Sequence, residues 1–183
     1  MKPSLKKVVL GVCLNVLLAS VGAFAEQTPQ KAGISPEQQK RMELMRSRGP
    51  DASLAILPIR VSLPPEFRDR VSLIVGILLE KGGLKNIQLG KGDFDPGNTN
   101  SMEGIAASLG EFVRKNPITT EYALYAEYHG DSQRTIDELR AIVVNKAGEV
   151  VWTDRLTPQD EAFRKVGDPD AMGFSVLLVE RLR

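Results

Sequence analysis

Cysteine is almost absent from this sequence: its 183 residues contain one, Cys13. Histidine is as scarce, with His129 alone, and tryptophan occurs once, as Trp152. Aromatic residues make up 5% of the chain. No excess of one charge exists either, since 24 basic residues stand against 23 acidic ones. Each scarcity removes a class of function. A single histidine and a single cysteine cannot assemble the multi-histidine or cysteine-rich sites that hold zinc. Without a basic run there is no electrostatic footprint for nucleic acid. Few aromatics leave a wide carbohydrate cleft short of stacking surface.

What is present begins at the amino end. Lys2, Lys6 and Lys7 precede the apolar run Val8–Leu18, and Ala23-Phe24-Ala25 follows. That is the plan of a secretory signal peptide over residues 1–25, cut before Glu26. The run is shorter than the roughly 20 residues of a membrane span, and no basic stop-transfer cluster follows it. The expectation is an exported protein, periplasmic or extracellular, with no membrane span after cleavage. Cys13 lies too early, and behind Val12, for a lipid-attachment site. It leaves with the signal, so the mature chain has no disulfide and no thiol nucleophile. Removing three lysines and no acids leaves 21 basic against 23 acidic residues, a balance of −2.

Residues 26–50 read as a polar leader with a short helix, started by Ser35 as N-cap and Pro36 at the first helical position. Its apolar contacts, Met42 and Met45 with Leu44, suit a solvated linker or a helix that docks on a partner. Residues 51–183 read as a single mixed α/β domain. Leu54–Val61 is a buried strand in which Pro58 marks a bulge or the exit. An amphipathic helix follows, carrying Val71, Ile74, Val75, Leu78 and Leu79, and Gly82-Gly83 caps it. Asn86–Leu89 is a short strand. Ser101 caps a second helix with Ile105, Leu109 and Val113 on one face, and Asn116-Pro117 ends it. Tyr122–His129, Leu139–Lys146 and Val150–Arg155 are strands, the last two joined by a hairpin with Gly148 at φ > 0. Asp168-Pro169-Asp170 caps a final helix. The order β-α-β-α-β-β-β-α predicts a mixed sheet of about five strands with helices packed on it.

Chemistry has few places to stand. Gly130-Asp131-Ser132 does not complete a nucleophile elbow, and Gly90-Lys91-Gly92 opens a loop instead of a phosphate-binding helix. On an extended strand Tyr125, Glu127 and His129 share one face, so the carboxylate is placed to orient the imidazole. These are the weak catalytic candidates; the plainer reading makes that face the wet side of an antiparallel strand. Asp93, Asp95 and Glu103 form an oxygen-rich stretch, yet its glycine and Glu103 miss the calcium-loop positions, and the same residue types build turns without an ion. Trp152 reads either as a half-buried sheet residue or as an exposed anchor for a partner, and Met42 and Met45 are the other binding candidates. No cofactor is expected.

The runs Leu54-Ala55-Ile56-Leu57-Pro58, Leu84-Lys85-Asn86-Ile87, Tyr122-Ala123-Leu124-Tyr125 and Arg140–Trp152 resemble small periplasmic domains of the TolB amino-terminal type. Similar domains occur in curli-export and penicillin-binding-protein-activator lipoproteins. The resemblance covers about residues 53–157 and implies a non-enzymatic envelope module that binds another envelope protein. The alternatives are a small periplasmic hydrolase using Tyr125, Glu127 and His129, or a divalent-ion-binding module at Asp93–Glu103.

Overall fold

Ser35 opens the first helix as expected: its hydroxyl accepts from the Gln38 N–H at 3.2 Å, and Pro36 needs no acceptor at the helix start. The computed structural model describes residues 34–61, 65–130, 135–166 and 170–183. The expected signal peptide and residues 26–33 of the polar leader lie outside these residues, as do part of the Gly130–Ser132 motif and Asp168-Pro169. Helix α1 spans Pro36–Arg48, and a 3-10 turn, Gly49–Asp51, leads into strand β1, Ser53–Ile56. Strand β2 is Arg60–Val61, helix α2 Pro65–Lys81, strand β3 Asn86–Leu89 and helix α3 Met102–Lys115. Then come β4, Tyr122–His129; β5, Glu138–Asn145; β6, Val150–Leu156; the short α4, Glu161–Arg164; and α5, Ala171–Leu182. The α/β class and the mixed sheet stand, with six strands where about five were expected.

The extra strand arises at Pro58. Ile56 pairs with Leu124, but Arg60 pairs with Glu127, so β1 and β2 carry one residue more than the matching stretch of β4. β1 and β2 are one strand interrupted by a bulge, where the missing proline N–H costs no ladder bond. The freed Ile59 N–H donates to Ser72 Oγ of α2 at 2.9 Å instead. The bulge also changes which face the side chains take: Leu54, Ile56, Ile59 and Val61 enter one core, and Leu57 enters the other.

The sheet order is β3-β1-β4-β5-β6. β1 is parallel to β3 and β4, and the β4-β5-β6 meander is antiparallel. The chain moves from β1 out to β3 through α2, then crosses back over β1 to β4 through α3. Right-handed crossovers in opposite directions put those helices on opposite faces. α2 and α5 cover one face with Val75, Leu79, Phe174 and Leu178, while Ile105, Leu109 and Val113 of α3 cover the other. β4 is thus the central strand, buried along its length except at His129. Asp170 caps α5 by accepting from the Gly173 N–H at 2.8 Å.

α1 is part of the same compact unit, which runs from Ile34 to Arg183. Met42 and Met45 pack against the core of this chain, and Arg41 Nε donates to the Val150 carbonyl at 2.7 Å. The expectation of a solvated linker or partner-docking helix is corrected accordingly. The narrow apolar stripe is enough because the domain supplies the complementary surface.

Candidate functional site

α3 covers only part of its sheet face. Its residues lie over Ala123, Tyr125, Ile142 and Val144. Beyond its N-terminus, the same face continues to the ends of β2 and β4, and there the pattern turns from apolar to charged. Register places the residues side by side: Arg60 opposite Glu127, Glu127 opposite Arg140, His129 opposite Glu138, and Arg140 opposite Arg155. This is the carboxyl edge of the parallel strands, next to the strand from which crossovers leave toward opposite faces. In open α/β sheets that edge is where ligand crevices form.

The Tyr125, Glu127 and His129 expected on one face are joined there. The Tyr125 hydroxyl donates to Glu127 Oε1 at 2.5 Å, and His129 Nε2 lies 2.8 Å from Glu127 Oε2. Arg140 Nη1 stands 3.8 Å from the same oxygen. Glu127 is 4% exposed and Tyr125 1%, so the expected wet face is corrected: loop and helix cover it. Phe94 stacks edge-on against Tyr125, with ring centroids 4.7 Å apart, and also meets Phe112 at 5.4 Å. His129 alone reaches solvent, its side chain 42% exposed.

Burial works against the Glu127 charge most strongly. The hydrogen bonds from His129 and Tyr125, with the charges of His129 and Arg140, outweigh it and hold this carboxyl below the usual carboxylate range. An ionised carboxylate only accepts, so Nε2 of His129 carries the proton on that side. Burial, then the bond to Glu127, pushes the Tyr125 hydroxyl far up, and it stays a donor. Around this core the charges are matched. Glu138 takes Arg140 at 2.9 and 3.0 Å and also Arg155; burial opposes its ionisation, but the two guanidiniums prevail and its carboxyl is lowered. Arg60 donates to Asp95 at 3.1 Å, and Arg140 Nη1 donates to the Asn100 carbonyl at 3.2 Å.

Arg60, Thr99, Asn100, Glu127 and His129 line a polar cavity of about 260 Å³. Chemically it offers one carboxylate, already satisfied, and one imidazole whose Nδ1 has no partner among the described residues. Tyr125 is not a nucleophile, being buried, protonated and spent on Glu127. Arg60, Arg140 and Glu138 were missed in the sequence, because only the strand register brings them to Glu127. The loop residue Phe94 was missed as well; its signal was an aromatic among the polar residues 90–101.

The remaining candidates do not join this site. Trp152 is 7% exposed and packs in the α2/α5 core, so it is not an exposed anchor. Met42 and Met45 are taken up by the same core. Asp95 Oδ1 accepts from Arg60 and from the Gly97 N–H, Asp93 is exposed, and Glu103 lies in the first turn of α3. Among the described residues no group of three His, Cys, Asp or Glu side chains is placed to hold a metal ion. The divalent-ion reading of this stretch is therefore not carried further.

No protein-family pattern and no curated protein matches the sequence. Among solved structures, the chain is similar to a PelC dodecamer from Paraburkholderia phytofirmans. The identity is 13%, over 71% of this chain and 83% of that one, at a TM-score of 0.40. It is also similar to the lipoprotein GNA1162 from Neisseria meningitidis, at 15% identity over 60% of this chain and 81% of that one, with a TM-score of 0.39. Neither of these two is a TolB amino-terminal domain by name.

Proposed function

We propose that this chain is an exported accessory module of the cell envelope that works by protein–protein contact and not by catalysis. One observation carries the reading. The helices α2 and α5, which pack together on the sheet, each turn an i, i+4 apolar pair to solvent: Leu73 and Ile77 on one, Met172 and Val176 on the other. All four are between 40% and 50% exposed. Paired apolar side chains on neighbouring helices form a surface that water solvates poorly and a partner covers well. This face replaces Trp152 and Met42–Arg48 as the interaction surface. The internally matched charges beside His129 support the non-catalytic part of the reading.

The test is site-specific photo-crosslinking in intact cells, with the reactive group at Leu73, Ile77, Met172 or Val176 and, as controls, at the exposed Glu111 and Lys115 of α3 on the opposite face. The expected result is a discrete adduct to one envelope protein from the apolar positions and none from the controls. Adducts from neither set, or from both alike, overturn it. The 2.8 Å contact between Glu127 and His129 favours a second reading, a hydrolase in which His129 activates water. Loss of a measured hydrolysis in a folded His129→Ala variant would favour it over the first.

A further inference from the structure

At the opposite edge of the sheet, where β1 and β4 begin, there is a second cavity, of about 220 Å³. Its walls include Met45 of α1, Leu54 of β1, Leu79 of α2, Tyr122 of β4, Leu182 of α5, and Leu84 ahead of β3. The wall is mostly apolar, and no acidic side chain lines it. Two observations show what it lacks. Tyr122 is 6% exposed as a residue, and its hydroxyl, the part that reaches the cleft, has no hydrogen-bond partner among the described residues. That hydroxyl is not sealed in the interior: it opens on the cleft, where its donor is available to an acceptor on a ligand. Burial, reinforced by the Glu121 charge, pushes this phenol up, so it remains a donor.

The second observation is charge. Arg46 and Arg183 line the same cleft, and neither forms an ion pair with a described residue. The acids nearby are already engaged: Glu121 with Arg48 at 3.1 Å and Asp51 with Lys85 at 3.6 Å. An apolar slot with one free hydroxyl donor and two unmatched guanidiniums complements a molecule that has an alkyl tail and a carboxylate head. We propose that this cleft binds a single-chain alkyl carboxylate, its tail between Leu54, Leu79 and Leu182 and its head toward Arg46, Arg183 and the Tyr122 hydroxyl. The site is separate from the α2/α5 outer face, so the failure of one proposal leaves the other standing.

The experiment titrates the full chain with decanoate, and in parallel with decyltrimethylammonium, by calorimetry. Decanoate is expected to bind at one equivalent, with the cationic amphiphile weaker by at least about tenfold, the loss of one charge-assisted contact. Arg46→Glu combined with Arg183→Glu should weaken decanoate by about tenfold or more on the same grounds. Tyr122→Phe should weaken it several-fold while the melting temperature of the unliganded protein does not fall, because that hydroxyl has no partner to lose. Equal binding of the two amphiphiles, or no effect of the charge reversals, overturns the proposal. So does nuclear magnetic resonance evidence that the cleft is already filled by a second copy of the chain.

Discussion

Glu127 is the acceptor on which the buried polar site depends, and its removal should reverse the sign of a neighbouring mutation. In the unaltered protein, Tyr125→Phe removes a short hydrogen bond to a carboxylate, an interaction of about 1.5–3 kcal/mol. Glu127 keeps His129 and Arg140, so the cost should lie near the lower end, about 1.5 kcal/mol. Glu127→Leu acts differently. Its largest consequence is the Tyr125 hydroxyl, 1% exposed and now without an acceptor, which costs about 1–3 kcal/mol. His129 can turn its exposed ring to water, and Arg140 keeps both bonds to Glu138. No charge is abandoned in the interior, so the larger penalty of about 3–5 kcal/mol for a broken buried pair does not apply. The expected loss is about 2 kcal/mol.

Adding Tyr125→Phe to Glu127→Leu then removes a hydroxyl whose proton has lost its acceptor and which keeps only Arg60 as a donor to it. On that background the substitution should be neutral or stabilise by up to about 1 kcal/mol. The coupling across the cycle is about 1.5–2.5 kcal/mol, well beyond the roughly 0.3–0.5 kcal/mol scatter of independent sites. Urea denaturation of the four proteins measures it, provided the slopes agree so that midpoints report stability. If Tyr125→Phe destabilises equally in both backgrounds, the hydroxyl does not depend on Glu127 and the assignment of the site fails.

Two further outcomes follow from the same structure. Glu127 and Glu138 both have folded-state pKa values below the ordinary carboxylate value, so their stabilisation is full above the unfolded value of about 4.3 and is lost as pH falls toward the folded values. Melting temperature should therefore drop on acidification below about pH 4.5, and less steeply in Glu127→Leu; an unchanged slope would refute this. Gly110 of α3 meets the β5-β6 turn so closely that an added Cβ would lie 2.3 Å from the Gly148 carbonyl oxygen, against an ordinary contact of 3.4–4 Å. Gly110→Ala gains about 1 kcal/mol of helix propensity but should lose about 2–3 kcal/mol to the backbone clash, a net destabilisation of about 1–2 kcal/mol by thermal or urea unfolding. A stabilised variant would show that α3 can move off the hairpin freely.

Much of the local structure was written in the chain. Ser35, Ser101 and Asp170 start helices, Gly148 turns the hairpin with φ 73°, and Gly83 follows α2 with φ 107°. The periodicity of Val71, Val75 and Leu79 identified the buried side of α2, and Pro58 marked the break in the first strand. These features are legible because each depends on residues within a few positions of one another. The continuous run Tyr122–Ala126 was also a signal that both faces of β4 are covered, since an unbroken apolar strand is one buried on both sides. The alternating Tyr125, Glu127 and His129 obscured it by suggesting a wet face.

The sequence by itself thus determined the fold class, the poverty in histidine and cysteine, and the alignment of Tyr125, Glu127 and His129 on one side of a strand. Tertiary structure decided the rest. It buried Glu127, brought Arg60 and Arg140 to it from two other strands, placed Phe94 over Tyr125, buried Trp152, and packed Met42 and Met45 of α1 against the core. The reason is physical. A carboxylate's environment, and an aromatic's exposure, depend on strand register and on which helix covers which face, and both are set by contacts between residues far apart in the chain.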